Sequence, residues 1–340
     1  MNPRCTAGAA VIACAFFVLE VLVLYEEVVD FRDPITRYSS LSGYLFNIAF
    51  LRRAFDPAFT LHDMRLTGPT DVTTRWTMSM RFTPAGALPT RKYWNPTITF
   101  TGTSTYVFNP ASGKVYRHID TWDSIRNQEF FSLEGFADFF SQLLSFYSTP
   151  GLETPQYTIL RRAKDYEVRR YDPYVVAETA MEAAGALNRE VLKSGQVSVS
   201  PAGPGNRAFN SLAKYIFGDN AARARMAMTT PVFSDTTGTM RFVIGPSALK
   251  AMPSLPAPNS DAVSLGRLEG GVFAARVFSG VAREADSAAQ AEALKASLVR
   301  DGLKTSSPVW TLARYNDPST PGPFRRNEVL LPLEDFDLWH

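Results

Sequence analysis

Histidine and cysteine are almost absent from this chain. Its 340 residues hold three histidines and two cysteines. Cys5 and Cys14 both fall in the first fifteen positions, and no histidine occurs between residues 119 and 339. The folded body therefore has no disulfide framework. Two internal histidines without clustered cysteines also exclude a tetrahedral zinc site. Charge of one sign is equally scarce. Thirty-five basic residues face 33 acidic ones, for a net charge of +2, and no long basic run occurs. Nucleic acid as a partner is thereby disfavoured, since phosphate binding needs clustered Lys and Arg. A glycine-rich phosphate loop is missing, as is the elbow sequence of a Ser-His-Asp hydrolase. What remains is 45% hydrophobic and 20% charged, an ordinary globular composition long enough for two cores.

One long apolar run is present. Residues 7–25 are broken only by Glu20, with Arg4 before them and Glu26 and Glu27 after. Three readings fit: a membrane anchor or signal region, a first helix packed on the following domain, or a truncated start. The carboxylates in and beside the run weigh against a spanning helix and favour the packed one. Peripheral membrane contact through this segment stays within those readings.

Downstream, the pattern predicts a helix over 40–54 and strands over 60–67, 71–82, 96–108 and 114–122. Asn109-Pro110-Ala111-Ser112-Gly113 is turn chemistry, making 96–122 a hairpin. This is an α+β region, a curved sheet with helices around a pocket. An aromatic helix over 130–147 ends at the Ser148-Thr149-Pro150-Gly151 stop. The expected division is an apolar segment at 1–24, a first domain at 25–130, a helical linker at 131–156, a second domain at 157–334 and a tail at 335–340.

The second domain repeats itself faintly. Residues 170–177 match residues 267–274, and each copy precedes a helix (206–217 and 285–300) and further strands (229–245, then 308–316 with 326–333). Two strand–helix–strand units sharing one sheet give an α+β, barrel-like domain. On the first of these helices, Tyr215, Ala208, Leu212, Ile216, Phe209, Ala213 and Phe217 cover an arc of roughly 200°. A core-facing stripe needs about half that width, so Phe209, Ala213 and Phe217 form a surplus edge, bordered by Arg207 and Lys214. Such a shelf suits a flat amphipathic molecule with carboxylates at one rim, unless a strand or loop covers it. Met226 and Met228 alternate just beyond, placed either to fill a core or to line a pocket. Together with Asn210 these residues make up the candidate site.

Several segments carry a family likeness. Tyr166-Glu167-Val168-Arg169-Arg170-Tyr171, Lys214-Tyr215-Ile216-Phe217-Gly218, Met226-Ala227-Met228-Thr229-Thr230-Pro231-Val232 and Arg325-Arg326-Asn327-Glu328-Val329 occur in the order of the SOUL haem-binding family, which residues 157–334 resemble. The resemblance implies a barrel of two strand–helix repeats that binds haem or another tetrapyrrole loosely and non-covalently against its first helix. It also implies that the loop over 315–324 lies near the ligand. Some members use a histidine, which this half lacks. Where other members place an arginine early in the helix, this chain has Asn206, with Arg207 one step away. Lys214 matches a lysine of the family pattern, and Phe209 and Ala213 stand where methionines can occur.

The first half is similar to an uncharacterised plant and algal domain of the nuclear transport factor 2-like superfamily, a cone of curved sheet and helices. Tyr25 to Pro34 and Gly113 to His118 carry that likeness. Fusion of the two resembles the chloroplast haem-binding members. The resulting expectation is a plastid tetrapyrrole carrier or buffer, with a protein partner in the haem pathway. Two alternatives stay open. One is a non-catalytic interaction scaffold. The other is an enzyme whose His118 and Asp120, two apart on a strand, act as a general base and its orienter near Asp33, Arg75 and Trp76. On pattern alone that pair reads as outward-facing and polar, and His62 beside Asp63 is weaker still.

Overall fold

The computed structural model describes residues 23–84, 96–145, 149–181, 204–252 and 254–339. The apolar run over 7–25 thus lies, save its last three residues, outside the described residues. The chain divides into two compact units. The first comprises Met1–Phe146, Ile159–Lys164 and Asp337–His340, and the second Tyr147–Thr158 and Asp165–Phe336.

Among its described residues, unit 1 holds a six-stranded sheet packed with two long helices. Its strands are β1 (Tyr25–Arg32), β2 (Arg37–Tyr38), β3 (Phe55–Leu66), β4 (Asp71–Phe82), β5 (Thr97–Phe108) and β6 (Val115–Trp122), in the order β2-β1-β6-β5-β4-β3. β1 runs parallel to β6 and every other pair is antiparallel. Tyr25, Val29 and Phe31 are the buried face of β1, a period-2 pattern that a strand requires. β3 begins five residues earlier than the pattern predicts and runs through Pro57. It is an edge strand, where a missing N–H is tolerated. Gly102 in β5 lies where an added Cβ would meet the Thr121 carbonyl oxygen at 1.8 Å, so only glycine allows β6 to approach so closely.

Helix α1 (Leu41–Ala54) starts at Ser40, whose hydroxyl accepts from the Gly43 N–H. It buries Leu41, Tyr44 and Ile48 against Tyr25, Phe31 and Tyr106. Helix α2 (Leu133–Leu143) is shorter than its predicted span and belongs to unit 1 rather than to a linker. Its Phe139 and Leu143 pack on the Phe55, Trp76 and Trp122 cluster, and Asp138 takes a bidentate ion pair from Arg162. The tail is likewise part of this unit: the Trp339 indole N–H donates to Asp63 at 2.7 Å.

The remaining strands are β7 (Tyr157–Arg162), β8 (Glu167–Tyr171), β9 (Tyr174–Ala180), β10 (Val232–Asp235), β11 (Thr239–Ile244), β12 (Ser264–Leu268), β13 (Gly271–Phe278), β14 (Lys304–Thr305), β15 (Thr311–Arg314) and β16 (Asn327–Glu334). Among the described residues the α-helices here are α3 (Pro204–Ile216), α4 (Pro246–Ala251) and α5 (Glu284–Arg300). The sheet order is β12-β9-β11-β10-β15-β16-β13-β8-β7, with β14 beside β16. Apart from β7 and β14 it reads as a palindrome: β9, β11 and β10 of one repeat mirror β13, β16 and β15 of the other. α3 lies over β9 and β11, and α5 over β13 and β16. The repeat read from residues 170–177 and 267–274 is therefore a structural one.

The two ends of this order are joined through the chain itself. Tyr171 in β8 faces Gly271 in β13, and Tyr174 in β9 faces Leu268 in β12, so the register survives both turns. The sheet thereby closes into a barrel. Gly270, at φ +75°, permits the crossing, since a Cβ there would meet the Tyr171 carbonyl oxygen at 2.2 Å. Overall the fold is α+β, a curved sheet with helices followed by a barrel-like sheet of two repeats.

Candidate functional site

Helix α3 is where most of the sequence candidates lie. Ala208, Leu212, Tyr215 and Ile216 are buried against Ala177, Met240, Phe242 and Ile244 of the sheet. Tyr215 also donates to the Pro256 carbonyl at 3.0 Å, pinning one edge of the helix. The opposite edge stays open among the described residues. Phe209 is 38% exposed and Phe217 53%, with Ala213 half-buried between them. Arg207, Asn210 and Lys214 are exposed along the same side. The Phe209 ring meets Phe242 edge-on, centroids 5.1 Å apart. Gly218, at φ +109°, ends the helix.

The two methionines behave differently from that edge. Met226 is 6% exposed and belongs to the core cluster under α3, its N–H closing the helix end on the Ile216 carbonyl. It fills the core rather than lining a surface. Met228 is half-buried against the same cluster. The loop over 315–324 begins at Tyr315, whose carbonyl accepts from the Thr230 hydroxyl at 2.8 Å. Tyr315 is buried on the barrel's inner face, where its hydroxyl donates to Glu328 at 2.8 Å.

Residues that carry the family likeness build this inner face. Arg169 and Glu328 are fully buried and form two hydrogen bonds of 2.7 and 2.9 Å. Arg326 donates to Glu328 and Glu167 accepts from Arg169. Burial alone would raise the Glu328 pKa, but the Arg169 and Arg326 guanidinium groups outweigh it and hold the carboxyl well below its usual range. Nearby, Tyr174, Phe233, Arg241, Leu268, Phe273 and Leu330 border a cavity of about 190 Å³. That is smaller than the clefts of roughly 300–1,000 Å³ that take drug-sized ligands.

In unit 1 the structure turns His118 inward, opposite to the outward pair its spacing favours. The ring is 3% exposed. Its Nδ1 meets the Tyr25 hydroxyl at 3.0 Å and its Nε2 meets Asp120 at 2.9 Å. Ser104 donates to the same Asp120 oxygen and accepts from the Trp76 indole at 2.8 Å. Both ring nitrogens are thus engaged within the protein, whereas a general base needs one aimed at a substrate proton. Arg75 turns elsewhere, into a bidentate pair with Asp123 at 2.7 Å. Asp33 caps a turn by accepting from Thr36 and Ile35, and burial pushes its carboxyl up to about 6. His62 bonds Thr77 rather than Asp63.

The second unit is thus a closed barrel of two repeats with an amphipathic helix half open on its outside. A family model described as SOUL heme-binding protein matches residues 152–332, more than half of the chain. The chain belongs to the SOUL heme-binding family. It is 31% identical over 133 residues to Heme-binding protein 1 of Mus musculus, covering 36% of this chain and 68% of that protein. A second model, an uncharacterized conserved protein family (DUF2358), matches residues 14–118. Among solved structures, a putative SnoaL-like polyketide cyclase from Shewanella denitrificans is 16% identical with a TM-score of 0.33, covering 42% of this chain and 99% of that one. An NTF2-like protein from Burkholderia thailandensis is 13% identical with a TM-score of 0.30, covering 36% and 92%. Likeness at that level carries no activity.

Proposed function

We propose that this protein carries or buffers a tetrapyrrole, haem or a porphyrin, held non-covalently against the Phe209, Ala213 and Phe217 edge of α3. The observation that carries the reading is the exposure of Phe209 and Phe217 along one edge of a helix whose Ala208, Leu212, Tyr215 and Ile216 are buried. Lys214 and Arg207 stand beside that edge to meet the ligand's carboxylates. The residues present fit a ring held by its face and rim. They do not fit an iron held by imidazole or thiolate, because residues 119–339 contain neither histidine nor cysteine. Haem, when bound, would supply its own iron chemistry, and the chain's part is to bind, orient and shield the ring.

Covering a few hundred Å² of apolar surface at ~25 cal/mol per Å² supports useful affinity without an iron bond. Association and ordering costs bring the expected dissociation constant to the micromolar range. Residence in the plastid, transfer to a protein of the haem pathway and peripheral membrane contact through residues 7–25 complete the proposal, on the resemblance and the apolar run respectively. Absorbance titration of the full chain with haem tests it. A saturable shift at micromolar haem, weakened several-fold in Phe217→Ala and Lys214→Ala, is expected. A wild-type chain that gives no shift would leave the scaffold reading instead.

A further inference from the structure

The open edge of α3 does not end at the helix. Phe209 rests on Phe242 of β11, and the residue opposite Phe242 on β10 is Val232. Opposite Val232, on β15, stands Arg314. Directly opposed residues on neighbouring strands share a face, so these three form one row across the outside of the barrel. Phe242 and Val232 both pack in the cluster beneath α3, which fixes which face this is. Arg314 therefore lies about two strand spacings, roughly 10 Å, beyond the Phe209 contact. β10 and β15 are not the strands that α3 covers, so the row leads out from under the helix on its open side.

Arg314 is also unlike the arginines of the inner face. Arg169, Arg241 and Arg326 each pair with one or two carboxylates. The Arg314 guanidinium donates to the Ser234 hydroxyl at 2.8 Å, and among the described residues it forms no ion pair. Ser234 is itself buried, two residues along β10 from Val232 and so on the same face. A half-buried cation whose partner is a neutral hydroxyl leaves donors for an anion. Burial lowers the Arg314 pKa with no acid opposing the shift, so an arriving carboxylate would recover a desolvation cost already incurred.

We propose that Arg314, oriented by Ser234, is the carboxylate anchor of the α3 site, gripping an acid side chain of a ligand whose ring lies on the Phe209 edge. The proposal rests on the tetrapyrrole reading and adds a rule to it: the ligand must carry a carboxylate at the rim that points away from α3. A planar guanidinium takes such a group through two parallel hydrogen bonds, which a lysine in the same place cannot do.

Protoporphyrin and its dimethyl ester, the latter lacking both acids, separate the two ideas. Each is titrated into the full chain by fluorescence, in wild type, Arg314→Gln, Arg314→Lys and Ser234→Ala, with thermal melts checking that each variant folds. The expected result is about a tenfold loss of affinity for the acid in Arg314→Gln, with the ester unchanged. Arg314→Lys recovers part of that loss, and Ser234→Ala shows a smaller loss in the same direction. Should Arg314→Gln fail to fold, the Ser234→Ala acid-to-ester comparison carries the test. Equal losses for acid and ester, or no loss for either, overturn the anchor while the tetrapyrrole reading stands. A wild type that binds neither porphyrin overturns that reading, and the anchor with it.

Discussion

Each unit buries a polar system, and the two systems are built on opposite terms. In unit 1, Tyr25, His118, Asp120, Ser104 and Trp76 form a chain of hydrogen bonds in which a single carboxylate serves several donors. In unit 2, Glu328 sits between Arg169 and Arg326 with the Tyr315 hydroxyl added, a network of full charges. A hydrogen-bonded chain can lose a member for the cost of the partners left dry. A charged network that loses one member strands a buried ion. The contrast also separates structure from function within unit 2. Its inner-face arginines are matched by acids, whereas Lys214 and Arg314 lie outside, along the open side of α3.

The largest break in this comparison is Glu328→Ala. It leaves two guanidinium groups facing each other in the barrel, and denaturant titration should show a loss of about 3–5 kcal/mol. His118→Phe keeps a ring in the first unit's core but deprives the Tyr25 hydroxyl and Asp120 of a partner. The same measurement should record about 2 kcal/mol. If the two losses come out equal, charge and neutral hydrogen bonding are not the relevant distinction.

Acidity sharpens it further. The Glu328 carboxyl titrates lower in the folded barrel than in the unfolded chain, so its contribution is complete at neutral pH and fades as pH falls below about 4. Asp33 behaves in reverse. Its value is raised to about 6, so the folded state is favoured at acid pH and loses stability as pH climbs from about 4 to about 6. Asp33→Asn should therefore stabilise by on the order of 1 kcal/mol at pH 8 and by nothing at pH 4. A pH-independent effect would contradict the burial argument. Smallest of all is Phe217→Ala. Its exposed ring contributes little to folding, so melting should hardly move while haem affinity falls several-fold.

Much of this was legible in advance, for physical reasons. The stretches read as strands over 71–82 and 96–108, rich in β-branched and aromatic residues, and the helix read over 285–300 match β4, β5 and α5 to within one residue, and the repeat at 170–177 and 267–274 announced the palindromic sheet. The wheel of residues 206–217 separated the buried Leu212 and Ile216 from the open Phe209 and Phe217 correctly. Tertiary facts were not legible. Whether His118 faces in or out depends on β1 laying Tyr25 against it from a parallel neighbour, which spacing within β6 cannot reveal. Met226 reads as core or as pocket, core filling being the commoner role of methionine, until the helix end closes over it. Arg314 had no local signal, since its meaning comes from lying opposite Val232 and from the acids it lacks. The Arg-Arg-Asn-Glu segment marked the family, but its Arg326 and Glu328 work inside the barrel.

If an apolar edge holds the ligand in unit 2 without an iron bond, haem and the metal-free ring should bind alike. Side-by-side absorbance titrations of the full chain with haem and with metal-free protoporphyrin test it most directly. Dissociation constants within a few-fold of each other, both in the micromolar range, are expected. A preference for the iron form of a hundredfold or more would contradict it.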